Sequence, residues 1–590
     1  MLAIVLSMAV LFAWQFFFMP APPPDAVKQT AEQQQAEPGP PQPEGGEVSS
    51  GGAPQPDIST GAALTREEAL AQSPRIAIDT PSLKGSIALK GGRIDDLTLK
   101  DYRETVEPTS PNVVLLSPAS GPHAYYAEHG FVGGAGSDLG PPTPDTLWTA
   151  ETQGPLTQNS PVTLSYDNGK GLKFTRTISV DDKYMFTVDD TVTNTGSAAV
   201  TLYPYALVSR HETPHVQGFY ILHEGLIGVV ADALEQITYS KALENPAATV
   251  KSQNGWLGIT DKYWATVVIP EQGKDFTATF FGKQAGGRDR FQTDYLLGPL
   301  TVPAGGNGEV QGRVFAGAKE VHVVDGYAET YGIPKFDLLI DWGWFYFLTK
   351  PLFFALDYFY KLVGNFGVSI LIVTVIIKLI FFPLANKSYV AMSRMKKLAP
   401  EMQRIKERFA EDRMRQQQAM MELYKKEKVN PASGCLPILI QIPIFFALYK
   451  VLFVTIEMRH APFFGWIKDL SAPDPTSIFN LFGLIPWDPP HFLMIGIWPI
   501  IMGITMWVQM KLNPAPPDPV QQKIFTWMPI FFTFLLASFP AGLVIYWAWN
   551  NFLSIIQQAA IMKRQGVDIP LLENLGFKNN KSKAKGETKG

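Results

Sequence analysis

The 590-residue chain is 46% hydrophobic and 18% charged, with a formal net charge of −4. That near-neutral total hides a division: residues 1–341 carry 23 basic and 39 acidic side chains, residues 342–590 carry 27 and 15. A single cysteine, Cys435, excludes an internal disulfide, and the basic half intersperses its charge with long apolar runs, which argues against a plain nucleic-acid-binding domain.

Residues 1–19 are apolar apart from Ser7 and Gln15. As a helix they reach about 28 Å, just enough to span a bilayer. No small-x-small cleavage site follows and no basic n-region precedes, so the segment reads as an uncleaved transmembrane anchor, with a cleaved signal as the competing reading. Residues 20–73 are rich in Pro, Gly, Gln, Glu and Ser, a composition that buries too little apolar area to offset chain entropy, and they are expected to form a disordered tether.

From 74 to 335 the hydrophobic period becomes two. Arg75–Asp79 alternates, as does 173–180, followed by an Asp181-Asp182 turn and a second run over 184–188. Further β-like runs at 264–269 and 276–281 are punctuated by Gly and Pro. The expectation is an all-β domain, a large antiparallel sandwich.

The pattern then turns helical. Residues 342–363 are aromatic with Lys350, Asp357 and Lys361 interspersed, which suits an amphipathic helix lying in the membrane interface. Membrane spans are predicted at about 367–385, 436–456, 492–510, 524–539 and 541–557. With the anchor these make six, so the fold class is a multi-domain membrane protein: a β-sandwich joined to a polytopic α-helical domain. Loop charge sets the orientation. Residues 386–434 carry 12 basic and 6 acidic side chains, the tail after Gln557 carries 7 and 3, and the 457–491 loop carries 2 and 4. The positive-inside rule places the first two, and both termini, in the cytoplasm and the β domain outside. In a bacterium that outside is the periplasm. The short fifth span ends at Phe539-Pro540-Ala541-Gly542, a tight outer turn that Pro540 forbids to continue as helix. Its length implies local thinning of the bilayer or a watery approach.

Four features could carry chemistry. Lys378 stands inside the apolar run 371–385, LIVTVIIKLIFFPLA. A bare cation there costs at least about 2.5–3.5 kcal/mol unless it faces protein or water. Thr374 lies one turn earlier on the same face, and no Asp or Glu falls inside the other predicted spans. A water-filled cavity open to the cytoplasm is the favoured reading, against a lysine snorkelling to the interface. Gln441, flanked by Pro437 and Pro443, is the second intramembrane polar group, and could line that cavity or glue helices together. Residues 386–434 read as two amphipathic helices with a turn at 410–412 and a seam of Met392, Met395, Met402, Met414 and Met421, suited to varied partners. Finally, His211-Glu-Thr-Pro-His215 matches the H-E-x-x-H zinc pattern, but Pro214 sits inside the helix that pattern needs. No P-loop, nucleophile elbow or paired carboxylates are found, so no catalytic residue, cofactor or metal site is expected.

Four stretches carry a resemblance: 423–446 (LYKKEKVNPASGCLPILIQIPIFF), 457–463 (EMRHAPF), 539–547 (FPAGLVIYW) and 255–264 (GWLGITDKYW). On these the chain resembles the bacterial YidC and mitochondrial oxidase-assembly insertase family over nearly its whole length. The resemblance implies a periplasmic domain with a mutarotase-like supersandwich fold and a five-helix core (364–560). The core holds a hydrophilic groove closed to the outside. Lys378 falls where the family places a groove cation, usually arginine, and Thr374, Gln441, Tyr546 and Trp547 match groove or substrate-contact positions. Pro437, Pro443, Pro540 and Gly542 belong to the structural motif. The implied location is the bacterial inner membrane. The implied partners are nascent membrane proteins, the lipid bilayer, the Sec translocon, the signal recognition particle with its receptor, and the ribosome, the last contacted by the basic tail at 561–590. Two rivals come from other classes. A small-solute transporter would use Lys378 as an anion site and would show repeat symmetry. An anchored periplasmic carbohydrate enzyme would need a carboxylate pair.

Overall fold

The computed structural model describes residues 64–134, 139–215, 222–245, 247–285, 288–427, 429–430, 436–487, 489–490, 494–512 and 519–565. The expected anchor at 1–19, most of the tether and the tail beyond 565 lie outside the described residues.

The tether ends earlier than its composition suggests. Residues 64–73 are folded, with a short helix α1 (Arg66–Ala71) whose Thr65 and Glu68 form a reciprocal capping box. Arg66 pairs with Asp96 of the following domain, anchoring the helix to it.

Two antiparallel sheets of ten and nine strands follow, from Arg75–Asp79 to Asn307–Ala318. The expectation of a large sandwich is met. The alternating run at 173–180 becomes the strand Leu172–Val180, its even-numbered residues buried, paired with Met185–Asn194. Between them Asp181 Oδ1 accepts the amides of Lys183 and Met185 at 2.9 and 3.0 Å, which closes the turn. The inner faces pack Phe174, Phe186, Trp256, Phe291 and Phe315, all less than 2% exposed. Each such side chain contributes about 1.5–3 kcal/mol. A short helix, α2 (Tyr239–Glu244), covers one edge of the core.

A junction of α3 (Val321–Thr330), a 3-10 turn (Phe336–Leu339) and α4 (Tyr346–Val363) ties the sandwich to the helical region. α4 occupies the segment expected in the membrane interface, and its charges point toward the sandwich side. Lys350 Nζ lies 3.0 Å from both Asp325 and Asp337, and Asp357 joins His322 at 2.9 Å and Lys361 at 2.7 Å. Its aromatics Trp344, Phe347 and Tyr358 remain exposed. The half-buried Glu457 accepts the Val321 amide at 2.8 Å, at the amino end of α3, with its other carboxylate oxygen buried. Burial raises its carboxyl to about 7, with Glu320 and Asp357 adding repulsion.

The carboxy-terminal region is helical: α5 (Phe366–Ile380), α6 (Phe382–Lys397), α7 (Ala399–Arg408), α8 (Arg413–Lys426), α9 (Leu436–Val454), α10 (Ile497–Leu512), α11 (Pro519–Leu536) and α12 (Ala541–Arg564). The predicted single span at 367–385 is corrected: α5 and α6 meet at 67° around Phe381. Pro383 has no amide proton to give the carbonyl one turn back, so the helix axis turns there. Among the described residues no single helix is long and apolar enough to cross a membrane, whereas the bent pair Phe366–Ile380 and Phe382–Met392 is. The expected two-helix hairpin comprises α8 and an amino-terminal arm broken at Leu398 between α6 and α7.

Candidate functional site

The bend determines where Lys378 sits. It occupies the last turn of α5, three residues before the break, and not the middle of a straight span. There it lines a cavity of about 40 Å³ with Ile377, Phe381, Leu384, Ala385, Tyr389, Gln441, Ile444 and Gln557. Four helices meet in that wall. α5 brings the amine, α6 the Tyr389 ring, α9 the Gln441 amide and α12 the Gln557 amide. A volume of this size admits water-sized groups, and no lining residue carries a carboxylate.

Lys378 Nζ donates to Ser554 Oγ at 2.7 Å. The Ser554 hydroxyl donates in turn to the Asn550 carbonyl at 2.8 Å, so toward the lysine it acts only as an acceptor. α12 is held against α5 by Trp549, whose Nε1 donates to the Leu371 carbonyl at 3.2 Å.

The expected site residues divide. Lys378 and Gln441 share the cavity. Tyr546 joins it indirectly: buried on α12, it receives the Gln441 amide proton. Thr374 is buried with its hydroxyl on the Ile370 carbonyl at 2.6 Å, and it does not line the cavity. Trp547 sits in the seam between α9, α11 and α12, its ring edge-on to Phe445 with centroids 4.7 Å apart and tilted against Phe532 at 5.6 Å. The motif residues act on the backbone. Pro437 stands in the first turn of α9, where the amide proton it lacks would have had no helical partner, so it frees no carbonyl. Pro443 lies inside α9 and removes one rung. Pro540 caps α12. The amide of Gly542 bonds the Leu470 carbonyl at 3.0 Å, and a Cβ there would sit 3.2 Å from that oxygen, so this close approach favours glycine.

Ser554 and Gln557 were not anticipated. Their signal was present: Asn550, Asn551, Ser554, Gln557 and Gln558 repeat at helical spacing in an otherwise apolar run. A search for charge passes over neutral amides and hydroxyls. Asn551 reaches α10, its Nδ2 lying 3.5 Å from Thr505 Oγ1. The zinc-like stretch forms no helix. His211 ends the strand Val200–His211 and Glu212 has a left-handed backbone with φ of 68°. Burial, with Arg290 and Arg93 nearby, holds the His211 imidazole neutral, its pKa lowered to about 3.

Comparison with known proteins places this geometry in context. Residues 75–355 match the YidC periplasmic domain model and residues 358–567 match the 60Kd inner membrane protein model. A membrane protein insertase YidC of Bradyrhizobium diazoefficiens is 56% identical over 97% of this chain and 97% of that protein. One from Methylobacterium nodulans is 57% identical over 97% of this chain and 96% of its own length. A crystal structure described as an active YidC insertase with the first transmembrane domain resolved covers 82% of this chain and 91% of that chain, at 18% identity and a TM-score of 0.33. With its periplasmic and inner-membrane modules in the same order and over half of its residues identical to these relatives, the chain belongs to the YidC membrane protein insertase family.

Proposed function

We propose that the chain inserts nascent membrane proteins into the bacterial inner membrane, with the cavity at Lys378 as the inner part of a hydrophilic groove that receives the segment to be translocated. The observation that carries this reading is an ammonium group held by one hydroxyl, with no carboxylate among its cavity neighbours. A charge kept at such cost, with no counter-ion among the described residues of its cavity, suits an arriving acidic group. A short hydrophilic terminus enters from the cytoplasm, Lys378 attracts its acidic side chains, and the client's apolar helix slides along α9 and α11 into lipid, where hydrophobic burial drives the step. The exposed apolar side chains of these helices, Ile442, Phe446, Trp527 and Phe531 among them, suit a lipid-facing path.

In this reading residues 1–19 anchor the chain, 20–63 tether it, the sandwich over 74–335 is periplasmic, 364–560 cross the membrane five times, and both termini are cytoplasmic. The 386–434 hairpin and the basic tail at 561–590 face the ribosome, and the chain works alone or beside the Sec translocon, with the signal recognition particle and its receptor as delivery partners. No nucleotide or cofactor is required, because partition into lipid supplies the driving force.

The test compares Lys378→Arg with Lys378→Ala in proteoliposomes, following insertion of a single-span client whose short tail carries Asp residues. The arginine variant is expected to insert the client at the wild-type rate and the alanine variant to lose most insertion. Equal insertion by both would reject the role of charge.

A further inference from the structure

Resting on that functional reading, we propose that Gln557 is a specificity-determining residue: with Lys378 it forms a two-donor receptor for a side-chain carboxylate of the translocated segment. The ammonium group of Lys378 has three protons. One is committed to Ser554, whose own proton is committed to the Asn550 carbonyl. That short relay fixes Nζ at the cavity wall and leaves the other ammonium protons for a ligand.

One helical turn beyond Ser554, Gln557 lines the same cavity, and its Nε2 is buried with no hydrogen-bond partner among the described residues. A buried amide donor without an acceptor is costly, and such groups in native proteins call for an explanation. The other amide in the wall is engaged in part, since Gln441 gives one of its two Nε2 protons to Tyr546. The cavity therefore presents a cationic donor and, in Gln557, a neutral donor whose nitrogen has no partner among the described residues, and its lining has no acidic group. A carboxylate has two oxygens and satisfies both donors at once. In the functional reading the occupant of this cavity is a polypeptide. The ligand class is thus an aspartate or glutamate side chain in an extended polypeptide.

The full-length protein in proteoliposomes is offered two versions of one single-span client, with tails containing either Asp or Ala at the same positions, and transfer is read by protease protection. Gln557→Met, similar in size but lacking the donor, is expected to slow transfer of the Asp tail about tenfold while leaving the Ala tail, which has no side-chain acceptor, at its wild-type rate. Gln557→Lys restores a donor and is expected to recover the Asp tail. Equal slowing of both tails by Gln557→Met would assign the residue a packing role and overturn the proposal. So would wild-type transfer of the Asp tail by Gln557→Met when Lys378→Ala is defective. Wild-type transfer of both tails by Lys378→Ala would instead overturn the underlying reading of the cavity.

Discussion

Two cations, Arg176 fully buried in the sandwich and Lys378 half-buried in the helical region, are treated in opposite ways. Arg176 in the sandwich is 1% exposed. Its Nε and Nη2 engage both oxygens of Asp190 at 2.7 and 2.9 Å, and its guanidinium lies 5.0 Å from the centre of the Trp148 ring. Lys378 in the helical region has, among the described residues, a single hydroxyl partner and a cavity. A charge with its partners fully supplied is architecture, and removing it leaves an uncompensated opposite charge in the core. A charge supplied with one weak partner adds little to folding and keeps its capacity for something that arrives later.

Substitutions can break or sharpen this contrast. The largest effect is expected from Arg176→Met, which strands Asp190 inside the sandwich. A loss of about 3–5 kcal/mol should appear as a lower unfolding midpoint in calorimetry of the detergent-solubilised protein. An unchanged midpoint would show that the pair is not structural.

A smaller effect is expected at the junction. The Glu457 carboxyl is raised from an ordinary 4.5 to about 7. Between those values the folded chain holds a proton that the unfolded chain has released, so its contribution makes stability fall as pH rises from about 4.5 to about 7 and level off above. Glu457→Gln still accepts the Val321 amide and removes that slope. It should stabilise the protein at pH 8 by on the order of 1–3 kcal/mol and leave it nearly unchanged at pH 4.5. Parallel pH profiles for wild type and variant would contradict this.

The smallest effect on stability is expected from Lys378→Met, within about 1 kcal/mol of wild type, because it gives up one hydroxyl bond and a desolvated charge that offset each other. The contrast with Arg176 fails if this variant is as destabilised as Arg176→Met.

Much of the architecture was legible where local periodicity decides it. The hairpin of Leu172–Val180 and Met185–Asn194 follows from alternation and an Asp turn, and Lys378 stood out as a charge in an apolar run. Features that depend on a single residue or a distant partner were harder to read. Pro383 was visible, but the apolar run around it outweighed the proline as a helix breaker. The capping box at Thr65 and Glu68 was submerged in a polar, proline-rich composition. The charges of α4 were read as facing the membrane interface because their partners Asp325, Asp337 and His322 lie on other elements. Gln557 and Ser554 were missed for a different reason, since a neutral polar stripe declares itself only when a neighbouring helix brings a cation against it.

The most direct test of the cavity's role is site-specific photocrosslinking to a ribosome-stalled client with an acidic tail. A probe at Leu384, in the cavity wall, should capture the tail, and a probe at Ile376, on the exposed apolar face of α5, should capture the client's apolar segment or lipid instead. Capture of the tail from Ile376 with none from Leu384 would contradict the account.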